Sequence, residues 1–245
     1  SGLITFYDYF VRFPKLPEVY FAYEANKQDA LKQLNAQADE YEIYLHPLWA
    51  EHPPVRVQRS SERVKALDTT DTLVLPPPGK GLIYAYPPEL VSEAERVARF
   101  WPGVVVERIA DPYGGLLFAH LKFSAQEVAG WPPELPPTTT TDARFEDGPT
   151  LLGVRASPQA DDLWLYWRAE PRDTVRDLTT FVHLFDDAGN RVGQADERPG
   201  NGTYPTNVWT PGERVVERYH PEISDPCAAG NEVQVVVGWY ELALD

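Results

Sequence analysis

Two stretches of this sequence carry residue types that can do chemistry. In LHPLWAEHPP (45–54), His46, Glu51 and His52 follow a run of β-forming residues. Two imidazoles and a carboxylate are metal-ligand or acid–base groups, and ligands of open α/β sheets gather at the carboxyl ends of strands. The spacing matches no i,i+4 pair on a helix, so the segment reads first as proline-rich loop structure. A non-catalytic binding role stands behind that, and metal or catalytic use behind both. The second stretch, QADERPGNGTYPTNVWTPGE (194–213), is polar, rich in Gly and Pro, and too long for a hairpin turn. Here Asp196 and Arg198 can hold sugar hydroxyls, while Tyr204 and Trp209 can stack on a pyranose ring. The simpler reading is a structural loop pinned by Tyr204 and Trp209. Asp186, Asp187 and Asp196 offer oxygens to Ca²⁺, but the EF-hand spacing is absent.

What the sequence lacks narrows the chemistry further. Neither GxxxxGK[ST] nor GxGxxG occurs, so the usual nucleotide cradle is missing. No GxSxG elbow occurs either, which disfavours an α/β-hydrolase. The single cysteine, Cys227, excludes an intrachain disulfide framework and cysteine-based zinc sites, and reads as a small side chain in a proline-flanked loop. No catalytic residue, metal ligand or cofactor is therefore assigned. A soluble hydrolase built on His46, Glu51 and His52 is the least supported reading.

The elements that must position these residues follow from periodicity. Leu3–Phe13 reads as a first helix, or as the end of a longer one with an aromatic interfacial belt. EVYFAY (18–23) is rich in β-formers and predicts a strand. Asn26 can cap a helix in which Ala30, Leu31, Leu34 and Ala38 share one face. Strands are predicted at 41–45, 72–75, 81–86, 103–109 and 116–123, with a loop over 47–59, a short helix over 60–67, and an amphipathic helix after Pro87-Pro88 on Leu90, Val91, Ala94, Val97 and Ala98. Asp68–Asp71, Gly79–Gly81 and Asp111–Gly115 read as turns or caps. Alternating strands and helices predict an α/β sandwich over residues 1–128, Rossmann-like with a mainly parallel sheet and room for an antiparallel edge. AGWPPELPPTTTT falls in an extended Pro/Thr-rich linker, residues 129–142. Over 143–245 the period becomes two, with strands at 150–156, 162–168, 178–185, 214–220 and 232–240 and a hairpin turn at Asp186–Asn190. That pattern predicts an all-β domain, a β-sandwich of jelly-roll type.

Charge agrees with a division near residue 130. Among 245 residues, 22 Lys and Arg face 37 Asp and Glu, a net charge of -15. Residues 1–130 hold 13 basic and 17 acidic groups, residues 131–245 hold 9 and 20, and no Lys follows Lys122. Such a field repels phosphate backbones, so nucleic acid is not an expected partner. No apolar run approaches the ~20 residues of a membrane helix. The absence of Met and the Ser1-Gly2 start, typical of a cleavage remnant, predict a piece of a longer protein.

Taken together, YDYFVRFPKLPEVYFAYEANKQDALKQL (7–34), YEIYLHPLWAEHPPVRV (41–57) and DTLVLPPPGKGLIYAYPPE (71–89) resemble the region after the last membrane span of bacterial family 39-type glycosyltransferases, relatives of the protein mannosyltransferases. LYWRA (165–169), TFVHLFDDAGNRVGQAD (180–196), YPTNVWTPGE (204–213) and VVVGWYE (235–241) resemble the β-domain that follows in such proteins. The resemblance implies a polytopic parent in the cell membrane that moves sugar from a polyprenyl phosphate, with its catalytic carboxylate in an early outer loop absent from this chain. The present residues are then an extracytoplasmic, non-catalytic tail that assists acceptor or glycan binding, its partners being the transmembrane part of the same polypeptide and a glycan or glycosyl acceptor. The alternative is a secreted or surface carbohydrate-binding protein without transferase activity.

Overall fold

A computed structural model of the chain describes residues 6–7, 11–13, 16–59, 63–146, 148–157, 162–171, 176–223 and 233–241. Cys227 and most of Leu3–Phe13 lie outside the described residues. The elements in order are α1 (Pro17–Ala22), α2 (Ala25–Asn35), β1 (Tyr41–Leu45), α3 (Pro47–Ala50), α4 (Pro53–Gln58), β2 (Val64–Ala66), β3 (Thr72–Leu75), β4 (Gly81–Tyr86), α5 (Val91–Ala98), β5 (Glu107–Ala110) and β6 (Leu116–Phe123). Then come β7 (Thr139–Arg144), β8 (Thr150–Ala156), β9 (Leu163–Arg168), β10 (Leu178–Phe185), β11 (Arg191–Glu197), β12 (Arg214–Tyr219), β13 (Glu222–Ile223) and β14 (Gln234–Glu241). The chain forms two compact units. The first comprises Ser1–Ala66, Leu82–Arg99 and Gly103–Phe123; the second comprises Leu67–Gly81, Phe100–Pro102 and Ser124–Asp245.

The first unit holds one five-stranded sheet, ordered β2-β1-β4-β6-β5. It is mixed, which corrects the expectation of a mainly parallel, Rossmann-like sheet: β1 and β2 run parallel, but β6 is antiparallel to both β4 and β5. The turn Asp111–Gly115 is the reason, because it closes β5 and β6 as a hairpin. Asp111 Oδ1 accepts from the N–H of Tyr113 (2.7 Å) and Gly115 (3.0 Å), and Gly114 takes φ +87°. On one face, Leu31 and Leu34 of α2 pack with Ile43, Leu45 and Ile83. Ala94 and Val97 of α5 are fully buried, as the amphipathic pattern requires.

Four local expectations change. EVYFAY lies in α1, because Pro17 sets the first helical φ and the buried Tyr20 donates to Asp29 of α2 at 2.9 Å. Asn26 is inside α2 and caps nothing; the break between the helices is Glu24, held at φ +59° with Lys27 on its carboxylate at 2.8 Å. The loop at 47–59 contains α3 and α4, each opened by proline at its first turn. The helix expected over 60–67 is replaced, in its described part, by β2, whose Val64 and Ala66 pair with Ile43 and Leu45.

The second unit holds two sheets, ordered β3-β12-β9-β8-β7 and β13-β11-β10-β14, whose strand pairings among the described residues are antiparallel. The sheets meet through aromatic rings: Trp167 of β9 and Trp239 of β14 have centroids 4.6 Å apart. β3 is a strand as expected, but it pairs with β12 rather than with the first unit's sheet, Val74 lying opposite Val215. The end of the segment expected to be linker is β7, the fully exposed edge of the same sheet.

Candidate functional site

His46, Glu51 and His52 each engage a different partner. His46 Nδ1 accepts from the N–H of Leu48 at 3.1 Å, which leaves the ring proton on Nε2, 3.6 Å from Glu93 of α5. Glu51 pairs with Arg59 at 3.0 Å, and His52 Nε2 lies 3.1 Å from Glu24. Among the described residues no side-chain hydrogen bond or ion pair joins any two of the three. Their proline-started helices turn the side chains toward separate anchors.

The segment expected as a loop over 194–213 is strand β11 as far as Glu197, where it pairs with β10, and only beyond it a loop with two 3-10 turns, Pro199–Gly202 and Thr206–Val208. Asp196, in β11, lies 3.6 Å from His183 Nε2, and Arg198 forms a two-pronged ion pair with Asp177. Tyr204 and Trp209 are brought together in the interior at 1% and 8% exposure. The Tyr204 hydroxyl donates to Glu213 at 2.7 Å, Trp209 Nε1 donates to the Tyr204 carbonyl at 3.0 Å, and the two rings stack at 6.5 Å. Buried rings of this kind leave no face for a pyranose, so both act as packing anchors. Trp164, Tyr166, Trp167 and Tyr219 are buried too.

The groups that hold the loop include two carboxylates to which sequence reasoning assigns no role. Glu213 accepts from Tyr204 and from the N–H of Thr210 (2.8 Å). Glu217 of β12 accepts from the Tyr219 hydroxyl at 2.9 Å and from the N–H of Gly200 at 3.3 Å. Burial pushes Glu217 up to about 7, and it raises Glu197 also, helped there by the charge of Asp71. The only signal was a Glu on the inward side of RVVERY, a position the strand period reserves for apolar residues.

The second unit also contains a cavity of about 330 Å³. Pro76–Pro78, Gly79 and Lys80, which follow β3, form one wall, and Ala125, Val128 and Ala129 form another. Arg168, Gly212 and Arg214 complete it. Arg168 donates through Nε to Glu170 at 2.7 Å and lies 3.5 Å from Asp142. Arg214 donates to the Val128 carbonyl and lies over the Trp131 ring at 5.1 Å. Among the described residues the lining carries no carboxylate, imidazole, hydroxyl or thiol, and its ionisable side chains are all cations. Such a wall can bind, but it lacks the paired groups of general acid–base or hydroxyl- and thiol-based nucleophilic catalysis.

Comparison with protein-family models, with curated proteins and with solved structures finds no match to this chain.

Proposed function

We propose that this chain is the non-catalytic, extracytoplasmic region of a family 39-type membrane glycosyltransferase, whose β-rich unit, a β-sandwich of jelly-roll kind, helps to hold the glycosyl acceptor or glycan. The observation that carries the binding role is the cavity whose wall offers apolar surface and cations but no acid–base pair. The motif resemblance described above supplies the transferase part of the reading. No helix among the described residues is long and apolar enough to cross a membrane. On this reading the catalytic carboxylate and the membrane spans belong to the rest of the polypeptide.

The test compares sugar transfer from a polyprenyl-phosphate donor by three preparations: this chain alone, membranes holding the full open reading frame, and membranes holding that frame without this region. The chain alone gives no transfer, the full frame does, and removing the region raises KM for the acceptor more than it lowers kcat. Transfer by the chain alone overturns the proposal. An open reading frame with a signal peptide and no membrane spans also overturns it, in favour of a secreted carbohydrate-binding protein.

A further inference from the structure

Arg214 is an unusual cation for so acidic a chain. Its guanidinium has five N–H donors. Among the described residues it meets one backbone carbonyl, that of Val128, and the face of Trp131, but no carboxylate. Most of the chain's other described arginines have an acid at hand: Arg168 has Glu170, Arg198 has Asp177, and Arg218 has Asp162 at 2.6 Å. Burial disfavours the charged form of Arg214, and among the described residues no ion pair offsets that. A half-buried cation on a cavity wall, with N–H donors beyond the one that meets Val128 and no carboxylate partner among the described residues, is suited to an anion. Lys80 is exposed at the cavity's proline wall and lines the same space. The rest of the lining is proline, alanine, valine and glycine, apart from Arg168, which favours an apolar body behind the charged group.

We infer that this cavity binds an oxyanion, a carboxylate or a phosphate, carried on a small apolar body, with the guanidinium of Arg214 as the two-pronged donor to it. The cavity is the one that carries the binding role proposed above, and the inference rests on that role by naming the charged group its ligand presents; anion binding by the chain alone is read separately from sugar transfer. Gly212 lines the same space with its backbone at φ +88°, a conformation that L side chains rarely adopt, and a Cβ there would meet Pro77 at 3.6 Å, an ordinary contact.

The experiment titrates the intact chain with benzoate, phenyl phosphate and the neutral benzyl alcohol, by calorimetry and by tryptophan fluorescence, to which Trp131 contributes through its stacking on Arg214. Both anions or one of them bind saturably, benzyl alcohol binds at least about tenfold more weakly, and added salt weakens the anions alone. The tighter of benzoate and phenyl phosphate tells a carboxylate ligand from a phosphate one. Arg214→Lys retains charge but loses the fork, and weakens binding about tenfold; Lys80→Gln weakens it less. Equal affinity for benzyl alcohol and the anions overturns the inference, as does absence of anion binding. Unchanged anion affinity in Arg214→Lys and Lys80→Gln together overturns it as well. If Arg214→Lys fails to fold, the neutral-analogue, salt and Lys80→Gln comparisons still decide.

Discussion

Glu217 shows at the scale of one residue how a buried charge links packing to pH. Its carboxyl is almost wholly out of water, held by Tyr219 and by the backbone of Gly200. Its folded value of about 7 lies above the ordinary 4.5 of an exposed glutamate. Between those two values the folded chain binds more protons than the unfolded one, so stability is full in acid below the unfolded value and falls as pH rises through about 7. The change is on the order of 3 kcal/mol for such a displacement. Glu197 is raised also and acts in the same direction. His120, whose ring is buried beside Glu107 at 3.1 Å, is lowered and acts oppositely, losing stability as pH falls below its ordinary value. Urea unfolding at pH 5 and pH 8 separates them: Glu217→Gln flattens most of the loss seen in the parent chain at pH 8. An unchanged pH dependence in that variant would refute a buried, proton-binding Glu217. The sequence marks Glu217 only by its inward place in RVVERY and marks the charge at Arg214 not at all, because what matters is the absence of water or of a partner acid, and neither is a local property of the string.

Elements were legible where their periodicity served one neighbour only. β1, β4 and β6 formed where runs of β-formers predict strands, β8, β9, β10, β12 and β14 where the period of two does, and the Asp186–Asn190 turn formed with Gly189 at φ +81°; β11, whose end lies in the segment expected as a loop, was not anticipated. They failed where tertiary contact outweighed propensity, as in α1, where the partner of Tyr20 decides the conformation. β7 illustrates a further kind of constraint. It is an exposed edge, yet β8 can approach it only because Gly153 has no side chain. A Cβ there meets the Thr139 carbonyl oxygen and the Pro137 ring at 2.7 Å each. Gly153→Ala therefore destabilises the chain by about 1–3 kcal/mol and speeds amide exchange at Thr138, whose N–H donates to Val154. Gly130→Ala meets nothing within 4 Å and leaves both unchanged. Denaturation with residue-resolved hydrogen exchange checks the pair, and equal effects at the two positions would show that the close approach has no energetic weight.

Across the whole molecule the chain is not two beads in series. Leu67–Gly81 leaves the first unit to supply β3 to the second, and Phe100–Pro102 does so again. A fragment of residues 124–245 therefore keeps β9 but lacks β3, the other of the two partners of β12, and exposes Leu73's place in the sheet, an open edge of hydrogen-bonding groups. Light scattering and near-ultraviolet dichroism are the measurements: the fragment aggregates or loses its aromatic signal, and a peptide of residues 67–81 restores it. A monomeric fragment as stable as the full chain would contradict this role of β3. The net charge of -15, by contrast, needs no fold to act, since it repels polyanions whatever the conformation.

Local sequence thus determined the charge, the class of most strands, the amphipathic α5 and the change from mixed to β-only structure, since all of these rest on composition and on short periods. Tertiary structure alone decided that the first sheet is mixed, that β3 serves the second unit, that Tyr204 and Trp209 face inward, and that Arg214 meets no acid among the described residues. The physical reason is common to these: strand partners, burial and charge compensation are set by residues far apart in the chain, such as Val74 opposite Val215 and Arg214 beside Val128. Short-range pattern carries no information about such distances, whereas the energy of a buried charge or an unpaired strand depends on little else.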